Sequence, residues 1–358
     1  MLNFPITLHI SSATHPGLKR QASPNEDSLV TLQGERVLSD GQRSPFGLCV
    51  VADGMGGHAN GQEASYLAIQ TIVNCLLPRL SSAEPCNGDT LVNLLVEGVR
   101  AANAAVYQRN REDQTDAGST LTAALVVGNM AYVANVGDSR TYLYRDAEGL
   151  RKITNDHSVV ARLVTSGIIG PDEIYTHPMR NQIYRSLGEK SVIDVDTFAV
   201  PLQPGDCLLL CSDGLWDMVR DPIIEQVMSQ VPDPAQTCPT LIHAALDGGG
   251  EDNVSVIVVS VAHTTTRPEL VGAQVSTPRH GPSPRYGAYS LPSSVAMQAA
   301  DNEVTNPILA LVFIVLLLCW QAVCRKVKGI VFAPGQDESG FAEELIALSF
   351  SSLHEVQR

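Results

Sequence analysis

The sequence Phe46-Gly-Leu-Cys-Val-Val-Ala-Asp-Gly-Met-Gly-Gly-His58 joins a short apolar run to an acidic residue and a group of glycines. Residues 46–52 are rich in β-branched side chains and end at a turn, which is typical of a buried strand. Several other segments share this character, and we predict that they are strands as well. They are residues 121–127, 131–136, 140–145, 207–211 and 253–261.

Two longer segments have apolar residues at helical spacing instead. Residues 62–77 carry one apolar stripe, and residues 91–106 carry a second, so that two long helices are predicted side by side. Closely spaced strands joined by tight turns favour antiparallel pairing, with the helices covering the faces of the sheets. The pattern therefore predicts an α+β fold built as a layered sandwich.

The composition is that of a folded, acidic protein. Hydrophobic residues make up 44% and charged residues 17% of the chain, which excludes a wholly disordered protein. The net charge is −14, which disfavours nucleic acid as a partner and favours a cation or a basic peptide. The eight cysteines form no C-x-x-C pair, and we interpret them as reduced thiols that pack in the core.

Changes in composition divide the chain into four parts. We predict a folded catalytic domain over residues 1–262, followed by a disordered linker over residues 263–303, which are rich in Pro, Gly, Ser and Thr. Residues 304–324 contain no charge and, at about 1.5 Å per residue, would extend about 31 Å, close to the thickness of a bilayer's hydrocarbon core. We predict a transmembrane helix there, in preference to a buried core helix. Residues 325–358 would form a short tail whose role the sequence does not indicate.

Two signals disagree about the orientation of this single-pass helix. Arg325, Lys326 and Lys328 follow it and acidic residues precede it, which by local charge places the carboxyl terminus inside. Residues 1–15 contain no secretory signal, however, and a folded domain of this size is not expected to be exported without one. We therefore expect a membrane protein whose catalytic domain lies in the cytoplasm.

Acidic residues recur where the apolar segments end, mostly beside a glycine or an asparagine. The six carboxylates are those of Glu26, Asp27, Asp53, Asp138, Asp213 and Asp252. Any single Asp-Gly pair could be an ordinary hairpin turn. If the ends converge, two such charges about 4 Å apart repel by about 4 kcal/mol at an effective dielectric of 20, so a counter-charge is required. Oxygen ligands without a His-Cys cluster favour Mg²⁺ or Mn²⁺ over zinc, and Gly54 would let its carbonyl approach the ion.

Six short motifs, in order along the chain, resemble those of the PPM family of metal-dependent, type 2C serine/threonine protein phosphatases. They are Asn25-Glu-Asp-Ser28, Val51-Ala-Asp-Gly-Met-Gly-Gly-His58, Gly118-Ser-Thr-Leu-Thr122, Val136-Gly-Asp-Ser-Arg140, Cys211-Ser-Asp-Gly-Leu-Trp-Asp217 and Glu251-Asp-Asn253. The likeness covers about residues 6–262, and the Met-Gly-Gly-His form is similar to the bacterial branch. It implies a four-layer αββα sandwich of two antiparallel β-sheets flanked by helices.

The resemblance also implies a metal role for each acidic residue. Asp53 would bridge two Mn²⁺ or Mg²⁺ ions and, together with Asp213, form the catalytic centre. The ligands of the two ions would be Glu26 and the Gly54 carbonyl on one side, Asp213 and Asp252 on the other, and Asp27 acting through water. A weaker third ion would bind Asp138 and share Asp213.

The phosphate-binding residue departs from the family pattern. The family places an arginine four residues before the position of Glu26, where this chain has Ala22. We assign the role to Arg20, whose planar guanidinium suits a bidentate grip on phosphate. His58 could donate a proton to the leaving group, but a lone histidine after two glycines is more often structural. We interpret four further residues as supporting structure, namely Ser119, Ser139 and Arg140 within the motifs and Ser65 shortly after the second motif.

Residues 155–188 allow two interpretations. They include Asp156-His-Ser-Val-Val160 and residues 167–185, and they resemble the mobile flap that bacterial members insert beside the active site, where it could gate substrates. The alternative is an ordinary helix and loop between two strands, with His177-Pro178 as turn residues.

These features predict a membrane-tethered phosphatase for phosphoserine and phosphothreonine in proteins. A water held between two divalent cations would become a hydroxide aligned on phosphorus, with no covalent intermediate. Phosphorylated proteins would be the substrates, and a bacterial Ser/Thr kinase would be the antagonist. Two other hypotheses stay open, namely a catalytically silent relative that binds phosphoproteins as a scaffold, and a small-molecule or partner-switching phosphatase of related fold.

Overall fold

The computed structural model describes residues 6–37, 43–56, 59–80 and 87–263. The strands are β1 (Ile6–His15), β2 (Asp27–Val37), β3 (Arg43–Met55), β4 (Gly118–Ser119), β5 (Leu121–Val127), β6 (Met130–Val136), β7 (Arg140–Arg145), β8 (Gly149–Lys152), β9 (Asp196–Pro201), β10 (Cys207–Cys211) and β11 (Val254–His263). The helices are α1 (Ala59–Leu80), α2 (Gly88–Asp113), α3 (Val159–Thr165), α4 (Asp213–Trp216), α5 (Asp221–Gln230) and α6 (Pro234–Asp247), and a 3₁₀ helix spans Pro171–Tyr175.

The strands form two antiparallel sheets. One sheet has the order β1-β11-β10-β7-β8, and the other has the order β2-β3-β5-β6-β9 with β4 added on β3. The register matters for the chemistry, because Asp27 at the start of β2 lies directly opposite Asp53 near the end of β3. Likewise, Cys211 at the end of β10 pairs with Val256 near the start of β11. Each sheet therefore brings the ends of two neighbouring strands together.

Three hydrophobic clusters separate the layers. The first joins α1 and α2 to the sheet that contains β3, the second lies between the two sheets, and the third joins the other sheet to α4, α5 and α6. Side chains alternate along β3 accordingly: Leu48 and Val50 face the helices, whereas Cys49 and Val51 face the opposite sheet. The α+β class and the two antiparallel sheets with flanking helices are confirmed.

The predicted boundaries differ from the observed ones by a few residues. The helix predicted over residues 62–77 spans Ala59–Leu80, and β11 ends at His263, one residue beyond the predicted end of the domain. The linker, membrane span and tail predicted over residues 263–303, 304–324 and 325–358 lie outside the described residues except for His263. Within the described ranges, no helix combines the length and the apolar character needed to cross a membrane.

Candidate metal centre

Asp53 is fixed by hydrogen bonds from the neighbouring strand. Its main-chain N–H donates to Thr120 Oγ1 at 3.0 Å, and its carbonyl accepts from the Thr120 N–H at 2.8 Å. The Ser119 hydroxyl donates to the same carbonyl at 3.1 Å. Ser119 in β4 and the next residue, Thr120, therefore hold the main chain of Asp53 near the end of β3.

Gly54 allows helix α1 to approach β3 at close range. A Cβ atom on Gly54 would lie 2.0 Å from the Gly61 carbonyl oxygen and 2.8 Å from that of Glu26, so no larger residue fits. The Gly54 N–H donates to the Glu26 carbonyl at 3.1 Å, and the Ser65 hydroxyl of α1 donates to the same carbonyl at 2.6 Å. The first turns of α1 therefore hold Glu26 and Gly54 against each other.

Ser212 connects the two sheets at this end of the molecule. Its hydroxyl donates to Asp27 Oδ2 at 2.8 Å and accepts from the Ser255 N–H at 3.0 Å. Ser212 lies between β10 and the first residue of α4, Asp213, so this bond brings Asp213 toward the strand pair that carries Asp27 and Asp53.

Asn253 connects Glu26 to Asp252. Its Oδ1 accepts the main-chain N–H of Glu26 at 2.8 Å, and its Nδ2 donates to the Pro16 carbonyl at 2.9 Å. Because Asn253 directly follows Asp252, the two acidic residues are held near each other although they are far apart in sequence.

The electrostatics show that five of the six predicted carboxylates share one site. Burial raises the pKa of Asp53 well above its ordinary value, and the negative charges of Asp213, Asp27, Asp252 and Asp138 raise it further. The pKa of Asp213 is raised in the same way, first by burial and then by Asp138, Asp252 and Asp27. Burial is also the main cause that raises the pKa of Asp27 to about 6 and that of Asp138 to about 7. The structure therefore brings these strand ends near one another.

Arg20 completes the group from the loop between β1 and β2. Its Nη1 lies 3.1 Å from Glu26 Oε2 and 2.5 Å from Asp252 Oδ1. The side chain is 40% exposed, so the guanidinium can also be reached from solvent. The loop therefore carries Arg20 to the site even though Ala22 occupies the usual arginine position.

The donor set suits hard divalent cations. Three buried carboxylate oxygens accept no hydrogen bond from any described residue, namely Glu26 Oε1, Asp27 Oδ1 and Asp213 Oδ1. Buried oxygens without a partner are costly, and Mg²⁺ or Mn²⁺ would satisfy them. No group of three or more His, Cys, Asp or Glu side chains in the described part of the chain is arranged to hold a metal ion as it stands. Arg20 instead supplies positive charge between Glu26 and Asp252.

Asp138 lies in the turn between β6 and β7. Its carbonyl accepts the indole N–H of Trp216 at 3.1 Å, and the next residue, Ser139, hydrogen-bonds Thr120 Oγ1 at 2.7 Å. The preceding residue, Gly137, donates its N–H to His157 Nδ1 at 3.0 Å. The turn is therefore fixed from three directions.

The residues interpreted as supporting structure make supporting contacts. Ser65 and Ser119 bond main-chain carbonyls beside the site, and Ser139 bonds Thr120. Arg140 is only 2% exposed, and its guanidinium donates to Asp156 Oδ2 at 2.7 Å.

Residues 155–188 form a helix and loop that lie beside the site. They contain α3 and the 3₁₀ helix Pro171–Tyr175. Arg180 lies 3.4 Å from Asp217 and 3.3 Å from Glu251, which places the loop next to α4 and to the residue before Asp252. The segment is therefore a helix and loop between β8 and β9, and the contacts of Arg180 place part of it beside Asp217 and Glu251. His58 lies outside the described residues.

Sequence reasoning missed three residues that hold the ligands in place. Ser212, Trp216 and Asn253 all lie within the quoted motifs, but we assigned no role to them. A polar side chain directly beside a predicted ligand could have indicated Ser212 and Asn253. For Trp216, the sequence gives no signal that its N–H meets the Asp138 carbonyl.

Comparison with known proteins places the chain in a family. The protein phosphatase 2C family matches residues 19–241. The serine/threonine protein phosphatase PstP of Mycobacterium tuberculosis is 40% identical over 259 residues, which are 71% of this chain and 48% of PstP. The serine/threonine phosphatase stp of Listeria monocytogenes is 35% identical over 212 residues, which are 59% of this chain and 83% of that protein. The chain thus spans about half the length of PstP and most of the length of stp.

Solved structures show the same fold. The crystal structure of PstP/Ppp from Mycobacterium tuberculosis superposes with a TM-score of 0.61 at 39% identity and covers 72% of this chain and 99% of that chain. A structure of the catalytic domain of PstP in complex with two manganese ions gives a TM-score of 0.59 at 38% identity, with the same coverage. The chain therefore belongs to the protein phosphatase 2C family, and its likeness to the bacterial branch is confirmed.

Proposed function

We propose that this chain hydrolyses phosphoserine and phosphothreonine in proteins with Mn²⁺ or Mg²⁺ as its cofactor. The observation that carries the proposal is the meeting of acidic residues from distant parts of the chain, with three buried carboxylate oxygens that no described residue satisfies. The relatives named as serine/threonine phosphatases support the activity, and the PstP structure with two manganese ions supports the cofactor. Because the chain spans about half of PstP, the substrates and partners of the whole protein belong to the same proposal.

Two divalent cations, when bound, lower the pKa of a water between them and neutralise the phosphoryl oxygens. Asp53 would contact both ions. The other ligands would be Glu26 with the Gly54 carbonyl, Asp213 with Asp252, and Asp27 through water. A weaker third ion would bind Asp138 and share Asp213.

The chain itself contributes position and charge. Thr120 fixes the main chain of Asp53, Asn253 fixes that of Glu26, and Ser212 fixes one oxygen of Asp27. Ligands held in advance need little reorganisation when the phosphate ester binds, which is how electrostatic stabilisation becomes effective. The Arg20 guanidinium, at the exposed side of the same group, is placed to bind the phosphate.

A metal-dependence assay on the full chain in detergent tests this function. We expect hydrolysis of p-nitrophenyl phosphate and of a phosphothreonine peptide with Mn²⁺ or Mg²⁺, and none with a chelator. Asp213→Asn should abolish both activities, because it removes a ligand charge. The matched control is Asp113→Asn at the exposed end of α2, which should leave activity unchanged. Activity that survives chelation would contradict the metal mechanism.

The same assay separates the two rival hypotheses. A silent scaffold would bind the phosphopeptide without releasing phosphate. A small-molecule phosphatase would hydrolyse p-nitrophenyl phosphate but no member of a phosphopeptide panel.

The cellular setting is part of the proposal. The uncharged segment at residues 304–324 would anchor the chain in a membrane as a single span. The catalytic domain would lie in the cytoplasm, where a Ser/Thr kinase would phosphorylate the proteins that this enzyme dephosphorylates.

A further inference from the structure

Trp216 is bonded to one predicted metal ligand and shares a helix with another. Helix α4 begins at Asp213 and ends at Trp216. The indole N–H of Trp216 donates to the Asp138 carbonyl at 3.1 Å, and the side chain is 4% exposed. A single rigid turn of helix therefore contains Asp213 and also holds the turn that contains Asp138.

The plane of the indole is fixed by a buried cation. The Arg140 guanidinium lies 3.7 Å from the centre of the Trp216 ring, and its ion pair with Asp156 holds it in place. A cation over an aromatic face is stabilised by the ring quadrupole, most strongly when it is desolvated. Because neither partner can rotate freely, the N–H has a fixed direction toward Asp138.

Trp216 also contacts the segment beside the site. The ring of Tyr175, which ends the 3₁₀ helix, lies 6.5 Å from the Trp216 ring at an interplanar angle of 57°, a tilted aromatic pair. The Arg220 guanidinium lies 3.2 Å from the centre of the Tyr175 ring. The 3₁₀ helix Pro171–Tyr175 is therefore packed onto the same indole that holds Asp138.

We propose that Trp216 is a positioning residue that fixes the Asp138 turn relative to Asp213 and thereby sets the affinity for the ion that these two carboxylates share. The inference rests on the proposed function, since it concerns an ion of that site. The competing explanation is that Trp216 only fills the cluster between its sheet and α4, α5 and α6. The first explanation predicts that ion affinity depends on the indole N–H, and the second predicts that only the packing of the aromatic ring is important.

Trp216→Phe separates the N–H from the ring. The variant keeps an aromatic ring against Arg140 and Tyr175 but leaves the Asp138 carbonyl without its donor. We would measure Mn²⁺ binding to the full chain in detergent by isothermal titration. The weakest ion should bind about tenfold less tightly, because binding would then have to fix the Asp138 turn that the hydrogen bond fixes in advance in the parent, and one such bond is worth about that factor in an equilibrium constant. The two tighter ions should bind as in the parent.

Two controls make the result specific. Tyr144→Phe is the matched change, because it also keeps an aromatic ring and loses one hydrogen bond, the 3.1 Å bond from its hydroxyl to Asp146. Tyr144 lies at the far end of β7 from the Asp138 turn, so this variant should bind every Mn²⁺ ion with unchanged affinity. Asp138→Asn should lose the same weak ion. Adding Trp216→Phe to Asp138→Asn should then have no further effect, because both changes act on one site.

A metal-free measurement tests the bond without any ion. The chain has two tryptophans, so a Trp320→Phe parent leaves Trp216 as its single indole. In this parent with chelator, the indole N–H should exchange with solvent at least about a hundredfold more slowly than a free indole, as expected of a buried, bonded N–H.

Equal Mn²⁺ affinities in the parent and in Trp216→Phe would overturn the inference. Three other results would overturn it as well. In the first, Asp138→Asn removes no Mn²⁺ ion that the parent binds. In the second, the double variant binds Mn²⁺ less tightly than Asp138→Asn alone, and in the third, the Trp216 indole N–H exchanges with solvent as fast as a free indole. If the parent binds Mn²⁺ and hydrolyses phosphopeptides while any of these results holds, the inference fails alone. If the parent binds no Mn²⁺ at all, the proposed function fails with it.

Discussion

Arg20 is placed between two acidic residues that we expect to bind metal. Its guanidinium contacts Glu26 and Asp252. We expect these contacts to be replaced when the carboxylates bind cations, which would leave the guanidinium available for the phosphate. We predict that Arg20→Ala raises KM for a phosphothreonine peptide about 10- to 100-fold, because a charged hydrogen bond contributes about 1.5–3 kcal/mol. The value of kcat should change less. Steady-state kinetics at saturating Mn²⁺ would measure both.

The neighbouring lysine provides the control for Arg20. Lys19 is 62% exposed and pairs with Glu251, so Lys19→Ala should leave KM within about twofold of the wild type. Arg20→Lys should fall between the wild type and Arg20→Ala, since an ammonium keeps the charge but not the bidentate fork. An Arg20→Ala enzyme with the wild-type KM would show that another group binds the phosphate.

At the scale of elements, the site depends on the close docking of α1 on β3. A methyl group on Gly54 would overlap the Gly61 carbonyl of α1, so the helix would have to move away from Glu26. We predict that Gly54→Ala lowers the free energy of unfolding by about 2–3 kcal/mol, as overpacking does, and also weakens Mn²⁺ binding. Urea unfolding and isothermal titration would measure the two effects.

Gly170 offers a matched glycine for this experiment. A Cβ atom there would meet no atom within 4 Å, and its backbone has an ordinary φ of −74°. Gly170→Ala should therefore leave both unfolding and Mn²⁺ binding unchanged. Wild-type Mn²⁺ affinity in Gly54→Ala would mean that the site tolerates displacement of α1.

The strands that the sequence predicted are the inner strands of the two sheets. β3, β5, β10 and β11 are apolar on both faces because helices cover one side and the other sheet covers the second, and such runs are easy to recognise. Five strands were not predicted. Four of them, β1, β2, β8 and β9, are the edge strands of the sheets, and the fifth, β4, is a two-residue strand that pairs with β3. Edge strands are more solvated and carry polar residues, for example His9 in β1 and Gln33 in β2, so their apolar pattern is interrupted.

In the candidate site, too, only the features with a clear local sequence pattern could be predicted. The carboxylates were predictable because each lies beside one end of an apolar segment, inside a recognisable motif. The bond from the Trp216 N–H to Asp138 depends on how α4 packs beneath the turn between β6 and β7. That packing brings together residues 78 positions apart, and nothing in the local sequence of either residue specifies it.

At the scale of the whole molecule, residues 304–324 should decide where the enzyme works. We predict that the full chain stays in the membrane fraction after alkaline extraction and that Ile314→Arg weakens this retention. A central arginine costs about 2.5–3.5 kcal/mol of insertion free energy. An alkaline phosphatase fused after Arg358 should be active, since a cytoplasmic catalytic domain puts the other end outside. If a green fluorescent protein fused at that position is fluorescent instead, the carboxyl terminus lies in the cytoplasm and the predicted orientation is wrong.

The clustered carboxylates should also control the stability of the metal-free protein. The pKa values of Asp53, Asp213, Asp27 and Asp138 are all raised in the folded state, those of Asp27 and Asp138 to about 6 and about 7. The folded protein therefore holds protons that the unfolded chain releases between about pH 4 and pH 7, and its stability falls as the pH rises through this window. His157 acts in the opposite sense because burial lowers its pKa. The lowered pKa values of Asp156, Asp196 and Glu251 also act in that sense, but mainly below the ordinary carboxyl pKa of about 4, and the raised pKa of Asp217 adds to the effect of the four clustered groups.

Urea unfolding in chelator at pH 5 and at pH 8 measures this effect. We predict that the wild type is less stable at pH 8, and that Asp213→Asn is more stable than the wild type at pH 8 but similar to it at pH 5, because the amide removes a charge that the site repels. Saturating Mn²⁺ should stabilise the wild type at pH 8 and should have a much smaller effect on the variant. Asp113→Asn, which alters an exposed carboxylate, should follow the wild type throughout. A metal-free wild type whose stability is flat or rises between pH 5 and pH 8 would mean that the acidic residues do not repel one another in the fold, and the case for a shared divalent site would lose its electrostatic basis.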